Sequence, residues 1–128
     1  MLASAGTAQA ATPWNATGTQ ADVVGAWAHG EYWVSGDTSY AKVTITDSQS
    51  DGASGRVYFR WRFGDGSTSG AYGPLTASGY QKETTRTYSY PRGALDSYDP
   101  FEVKEVRVDN GVEVDWGGWD VPEPFNSN

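Results

Sequence analysis

From Arg56 to Phe63 the chain alternates without a fault: Val57, Phe59, Trp61 and Phe63 fall on one parity, Arg56, Tyr58, Arg60 and Arg62 on the other. Successive side chains of an extended strand point to opposite faces. This stretch therefore demands a strand with one core face and one cationic, aromatic face. Trp61 is expected at the centre of the core. Gly64-Asp-Gly-Ser67 follows at once.

The 128 residues hold sixteen Gly, eight Tyr and six Trp but only three leucines, Leu2, Leu75 and Leu95. Helices favour Leu, Ala, Glu and Lys, whereas Tyr, Trp, Val and Thr fit pleated sheets, which predicts an all-β fold. A chain of this length makes one domain and buries roughly two-thirds of its extended surface. It has no cysteine, which excludes disulfides, thiolate catalysis and thiolate metal sites. The net charge of −7 is unevenly placed. From Asp96 onward nine acids face only Lys104 and Arg107, whereas residues 1–95 carry seven charges of each sign. A nucleic-acid binder needs a basic field, so nucleic acid is not an expected partner.

Residues 1–10 have the character of the end of a secretory leader. Ala8-Gln9-Ala10 fits the small-x-small rule for signal peptidase and would leave Ala11 as the mature start, which predicts a secreted, extracellular protein of bacterial type. Residues 11–22 form an extended N-terminal arm with one aromatic, Trp14. The β-domain is expected over 23–118 and an irregular acidic tail over 119–128. No segment has the run of about 18 apolar residues that a membrane-spanning helix needs.

Within the domain, Val23 to Val34 predicts two short strands or one bulged strand around Gly25 and Gly30. Ser35-Gly-Asp37 is a turn, and Tyr40 to Thr46 a strand with Ala41, Val43 and Ile45 inward. Asp47-Ser-Gln-Ser-Asp-Gly52 overlays the first half of a calcium loop, but the position that needs a bidentate acid falls on Tyr58, so no metal is expected. Gly64 to Gly79 shows no periodicity and predicts a long loop, flanked by Tyr72 and Tyr80. Residues 81–90 alternate again, and 91–100 form a loop. A three-residue turn Asp109-Asn110-Gly111 would pair Val108 with Val112 and Val106 with Val114, burying every valine together with Trp116. Phe101 and Val103 are out of phase with Val106 and Val108, which predicts a β-bulge near Lys104-Glu105.

Ile45-Thr-Asp-Ser-Gln-Ser-Asp-Gly52, followed by Tyr58-Phe-Arg-Trp-Arg-Phe-Gly-Asp-Gly-Ser67, resembles the signature of PKD-type domains. Thr87-Tyr88 and the strand 101–109 extend the likeness loosely. Arg62 stands where that family usually has Asp, and the insertion Gly93–Pro100 breaks its usual spacing. The resemblance implies an antiparallel immunoglobulin-like β-sandwich, here with a long Gly-rich loop, and a non-catalytic extracellular module that makes protein or polysaccharide contacts.

His29 is the only histidine, and its neighbours supply no acid or nucleophile. Nucleophile-elbow, phosphate-loop and zinc-helix motifs are absent, so neither catalysis nor a cofactor is expected; a small hydrolase using His29 is the alternative from another class. The candidate binding residues are Tyr58, Arg60, Arg62, Tyr72, Tyr80 and Trp119. Guanidinium and phenol groups suit a protein-contact face. Tyr72, Tyr80 and Trp119 suit sugar stacking, which makes a carbohydrate-binding module the second reading. Against both stands simple neutralisation of the arginines within the sheet by Glu102, Glu105 or Glu113.

Overall fold

The structure, a computed structural model, describes residues 10–125. Its strands are β1 (Thr12–Asn15), β2 (Ala26–Ser35), β3 (Thr38–Asp47), β4 (Ser54–Trp61), β5 (Tyr72–Ser78), β6 (Glu83–Pro91), β7 (Phe101–Asp109) and β8 (Val112–Trp116). They make two four-stranded antiparallel sheets, ordered β1-β2-β3-β6 and β5-β4-β7-β8. The chain is thus an all-β sandwich, and its core lies between the sheets. No helix among the described residues is long and apolar enough to cross a membrane.

The core follows from the alternation. Val57, Phe59 and Trp61 of β4 pair across the sheet with Glu105, Val103 and Phe101 of β7, and meet Ala41, Val43 and Ile45 of β3 from the opposite layer. Trp61 is 1% exposed. Phe59 and Phe101 are the hubs. Phe59 stacks on Tyr88 with centroids 4.8 Å apart, and Phe101 packs edge-on against Trp14 at 5.2 Å. Phe63, beyond the end of β4, is only half-buried and packs on Tyr90.

Both ends of the described segment pack against this core. Within the arm expected over 11–22, residues 12–15 are the edge strand of the first sheet, with Trp14 buried, and turns follow. Near the other end, Asn15 and Glu123 exchange backbone hydrogen bonds, Val121 and Pro122 are buried, and Phe125 packs on Tyr32 and Phe101. Residues 1–9, where the leader is expected, and 126–128 lie outside the described residues.

Four expectations are corrected. First, β2 is one continuous ten-residue strand in unbroken register with β3, with no bulge. Gly30 is there because the backbone of Lys42 and the ring of Trp14 crowd its inner side. Second, the glycine loop 64–79 contains β5, whose Leu75 and Ala77 are buried against β4. Two apolar residues are too few to display a period. Third, the last turn is the two-residue Asn110-Gly111 turn, with φ of 51° and 77°, which pairs Val108 with Glu113. Such left-handed turns match the twist of a hairpin. The register then shifts by one before Asp115, so Val112, Val114 and Trp116 are exposed rather than buried.

Fourth, β7 has no bulge opposite β4; their register is constant from Ser54↔Val108 to Trp61↔Phe101. The apparent phase change is a buried acid. Glu105 shares the inward parity of Phe101 and Val103, while Val106 and Val108 are covered on the opposite face.

Candidate functional site

The second sheet carries its polar stripe outward as the alternation requires. Register places Arg56, Tyr58 and Arg60 of β4 beside Val106, Lys104 and Glu102 of β7. Glu102 is nearly buried and binds two arginines, Arg60 at 2.6 Å and Arg62 at 2.8 Å. Glu113 of β8 binds Arg56 at 2.9 Å and accepts the Tyr58 hydroxyl. These donors, Tyr58 first and Arg56 next, hold the Glu113 carboxyl below its usual range; the same bond raises the Tyr58 phenol. The arginines are therefore neutralised within their own sheet by two of the three acids anticipated. Glu105 is not the third, because it faces the core.

Neutralisation does not empty this face of binding chemistry. Trp119 lies over Arg60 with the guanidinium carbon 4.2 Å from the ring centroid, a cation–π contact that holds both groups flat. Register puts Trp116, beside Val106, on the same side. Tyr58, Arg60, Arg62 and Trp119 of the expected set are thus brought to one face. Tyr72 is not with them: it sits at the start of β5, stacked on Tyr88 at the sandwich rim. Tyr80 is farther away, in the turn between β5 and β6.

Because Glu102 alone serves two guanidinium groups, Glu102→Ala is expected to cost about 1–3 kcal/mol, the worth of charged hydrogen bonds at a largely buried carboxylate. In thermal unfolding that is a fall of roughly 3–15 °C. Arg56→Ala, at a more open pair, should change stability by less than about 1 kcal/mol. An equal loss in both variants would contradict the shared-carboxylate geometry.

The strand next to this face is the feature that sequence reasoning missed. β8 ends its sheet, so one row of its backbone N–H and C=O groups has no strand partner among the described residues. Its Val112, Val114 and Trp116 are 61%, 45% and 55% exposed. Natural edge strands are commonly blunted by proline or lysine. The other three edge strands each carry a proline, Pro13 in β1, Pro74 in β5 and Pro91 in β6; β8, Val-Glu-Val-Asp-Trp, carries neither proline nor lysine. The absence of such a residue was visible in the sequence, but which strands form edges was not.

Two other groups qualify as chemistry. The Glu105 carboxylate accepts the backbone N–H groups of Val23 and Ala28, each at 2.7 Å. Burial is the largest influence on it and pushes its pKa up to about 8; the two N–H groups pull down, and Asp22 adds to the rise. His29 stacks on Trp27 with centroids 3.8 Å apart, and its Nε2 lies 2.9 Å from the Thr46 hydroxyl, which itself donates to Glu83. Burial lowers its pKa, so near neutral pH it is an uncharged ring held in a hydroxyl network. The calcium-like loop is turned to other uses: Asp47 caps the N–H groups of Gln49 and Gly79, and Asp51 pairs with Arg107. No group of three or more His, Asp or Glu side chains among the described residues is arranged to hold a metal ion.

No protein-family model, curated protein or solved structure matches the chain. The architecture stated above, an antiparallel β-sandwich of two four-stranded sheets, is the class that fold and site define.

Proposed function

We propose that this chain is a secreted, non-catalytic binding and assembly module that takes an extended segment of a partner protein alongside β8. The observation that carries the reading is the β8 edge, free of proline and lysine, with Val112, Val114 and Trp116 in solvent, next to a face built from Tyr58, Arg60 and Trp119. Strand addition draws its affinity from main-chain hydrogen bonds and its specificity from alternate side chains. Tyr, Trp and Arg are the residues that dominate protein interfaces, and here hydrogen bonds and the cation–π stack hold several in place before any partner arrives. Export is supported by Ala8-Gln9-Ala10.

Strand order supports an immunoglobulin-like sandwich. If β2, β3 and β6 are strands A, B and E, and β4, β5, β7 and β8 are C, C′, F and G, then the sheets read A-B-E and C′-C-F-G, with β1 added outside A. Trp61 then occupies strand C, where such sandwiches bury a tryptophan.

The test is affinity capture from culture medium with the wild type, Val112→Lys with Trp116→Lys, and Trp27→Ala. All three substituted residues are exposed, so each variant should fold, as thermal unfolding will verify. Wild type and Trp27→Ala are expected to retain the same partner, and the double variant to lose it at least tenfold. Equal capture by the double variant would remove β8 from the role.

A further inference from the structure

At the end of the sandwich bearing the turns 16–25, 47–53 and 79–82, three shallow clefts of about 280, 340 and 340 Å³ adjoin one another around Ser48. Trp27, 39% exposed, stands between two of them; Tyr80, 55% exposed, forms a wall of the third. The remaining polar lining includes Gln49, Gln81, Ser50 and Thr46, together with the carboxylates of Asp22, Asp51 and Glu83. We infer that this end of the molecule is a second binding site, one that takes a neutral polysaccharide across Trp27 and Tyr80.

The walls have the chemistry of a sugar site. Exposed indole and phenol rings present electron-rich faces to which the C–H groups of a sugar ring are attracted. Amides, hydroxyls and carboxylates beside them match sugar hydroxyls in both donor and acceptor sense. An anionic ligand would meet Asp22 and Glu83, with Asp51 already paired to Arg107, and an apolar one would leave the amides and hydroxyls unpaired. Uncharged, hydroxyl-rich matter satisfies every wall.

The site is also built before any ligand binds. Asp47, only 2% exposed, joins two of the loops: its backbone N–H donates to the Lys82 carbonyl at 3.0 Å and its carbonyl accepts from Gln81 at 2.7 Å. Its carboxylate accepts Gly79 N–H at 3.0 Å and Gln49 N–H at 3.3 Å. Ser48 N–H donates to the Gly25 carbonyl at 3.2 Å and ties in the third loop. Gln81 is held at φ 64°, a left-handed conformation that a non-glycine residue adopts only where its surroundings enforce it. Trp27 is held flat by its stack on His29. Loops fixed in this way lose little entropy on binding.

Affinity electrophoresis through gels containing xylan, hydroxyethyl cellulose, laminarin, glycogen or polygalacturonate tests the inference. Retardation by at least one neutral polysaccharide is expected, reduced at least tenfold in Trp27→Ala and in Tyr80→Ala and unchanged in Val112→Lys with Trp116→Lys. Tyr80 lies in an exposed turn, so its variant remains informative if Trp27→Ala proves unstable. No retardation by any neutral polymer, retardation by polygalacturonate alone, or retardation insensitive to both aromatic variants would overturn the proposal. Loss in the β8 variant would overturn the separation of the two sites, whereas protein capture through β8 is read in a different assay.

Discussion

Glu105→Ala is expected to bring the domain close to unfolding, at a cost of about 3–6 kcal/mol. Two buried backbone N–H groups, those of Val23 and Ala28, lose the carboxyl oxygens that accept them, and each such loss is worth about 1–3 kcal/mol before the cavity left behind is counted. Domains of this kind are stable by only about 5–15 kcal/mol. Urea unfolding at pH 6 measures the effect, and a loss under about 1 kcal/mol would show that water replaces the carboxyl without cost.

The same residue gives stability a distinctive pH dependence. With a folded pKa of about 8 against an ordinary 4.5, Glu105 holds a proton in the folded chain that the unfolded chain has released. Its contribution is complete below about pH 4.5 and is lost as pH rises to about 8, a decline of the order of 4 kcal/mol. His29, whose pKa is lowered by burial, works in the other direction around and below pH 6.5. Asp51, Asp65, Asp96 and Glu113, all held below their usual range, lose their contribution only in acid. The difference between wild type and Glu105→Gln from pH 5 to 8 isolates Glu105. Wild type should lose stability relative to Glu105→Gln as pH rises, and a constant difference would exclude the raised pKa.

Gly30→Ala is expected to cost about 3 kcal/mol or more, beyond ordinary overpacking. A Cβ on Gly30 would stand 1.8 Å from the Lys42 carbonyl oxygen and 3.2 Å from the Trp14 ring. The oxygen belongs to the β3 backbone, so no side-chain rotation relieves the clash; either the β2–β3 ladder opens or β1 lifts away. Gly93→Ala, which meets nothing within 4 Å and has no left-handed φ, is the control and should change stability by less than about 0.5 kcal/mol. Chemical denaturation of both decides the matter, and equal midpoints would refute the crowding.

These cases show where sequence reasoning reaches and where it stops. β4 and β3 were legible because long alternating runs state their own period, and the same parity located the arginine face and two of its acid partners. β5 was illegible because only Leu75 and Ala77 carry its period. In β8, the assumption that valines seek the core chose a three-residue turn, whereas the Asn110-Gly111 pair favours left-handed backbone strongly enough to set the register and leave the valines outside. Glu105 defeated the apolar pattern because its backbone acceptor duty appears only once β7 lies beside residues 21–28. Tyr80 was singled out as a contact candidate from the sequence, but Trp27, Ser48 and Gln81, which line the clefts beside it, come from separate segments, and no local pattern joins them.

The exchange of hydrogen bonds between Asn15 and Glu123 has a consequence for the order of events during biogenesis. A chain emerging from the ribosome or a translocation channel has β1 long before it has the residues that bridge to it, so the aromatic cluster of Trp14, Tyr32 and Phe101 stays open along that rim until Val121–Phe125 arrive. Contacts of such long sequence separation form late, since most of the chain must be ordered first. Until then the open rim exposes apolar rings to neighbouring chains, so the interval between translation of Trp14 and of Phe125 is when the polypeptide is most vulnerable to misassociation.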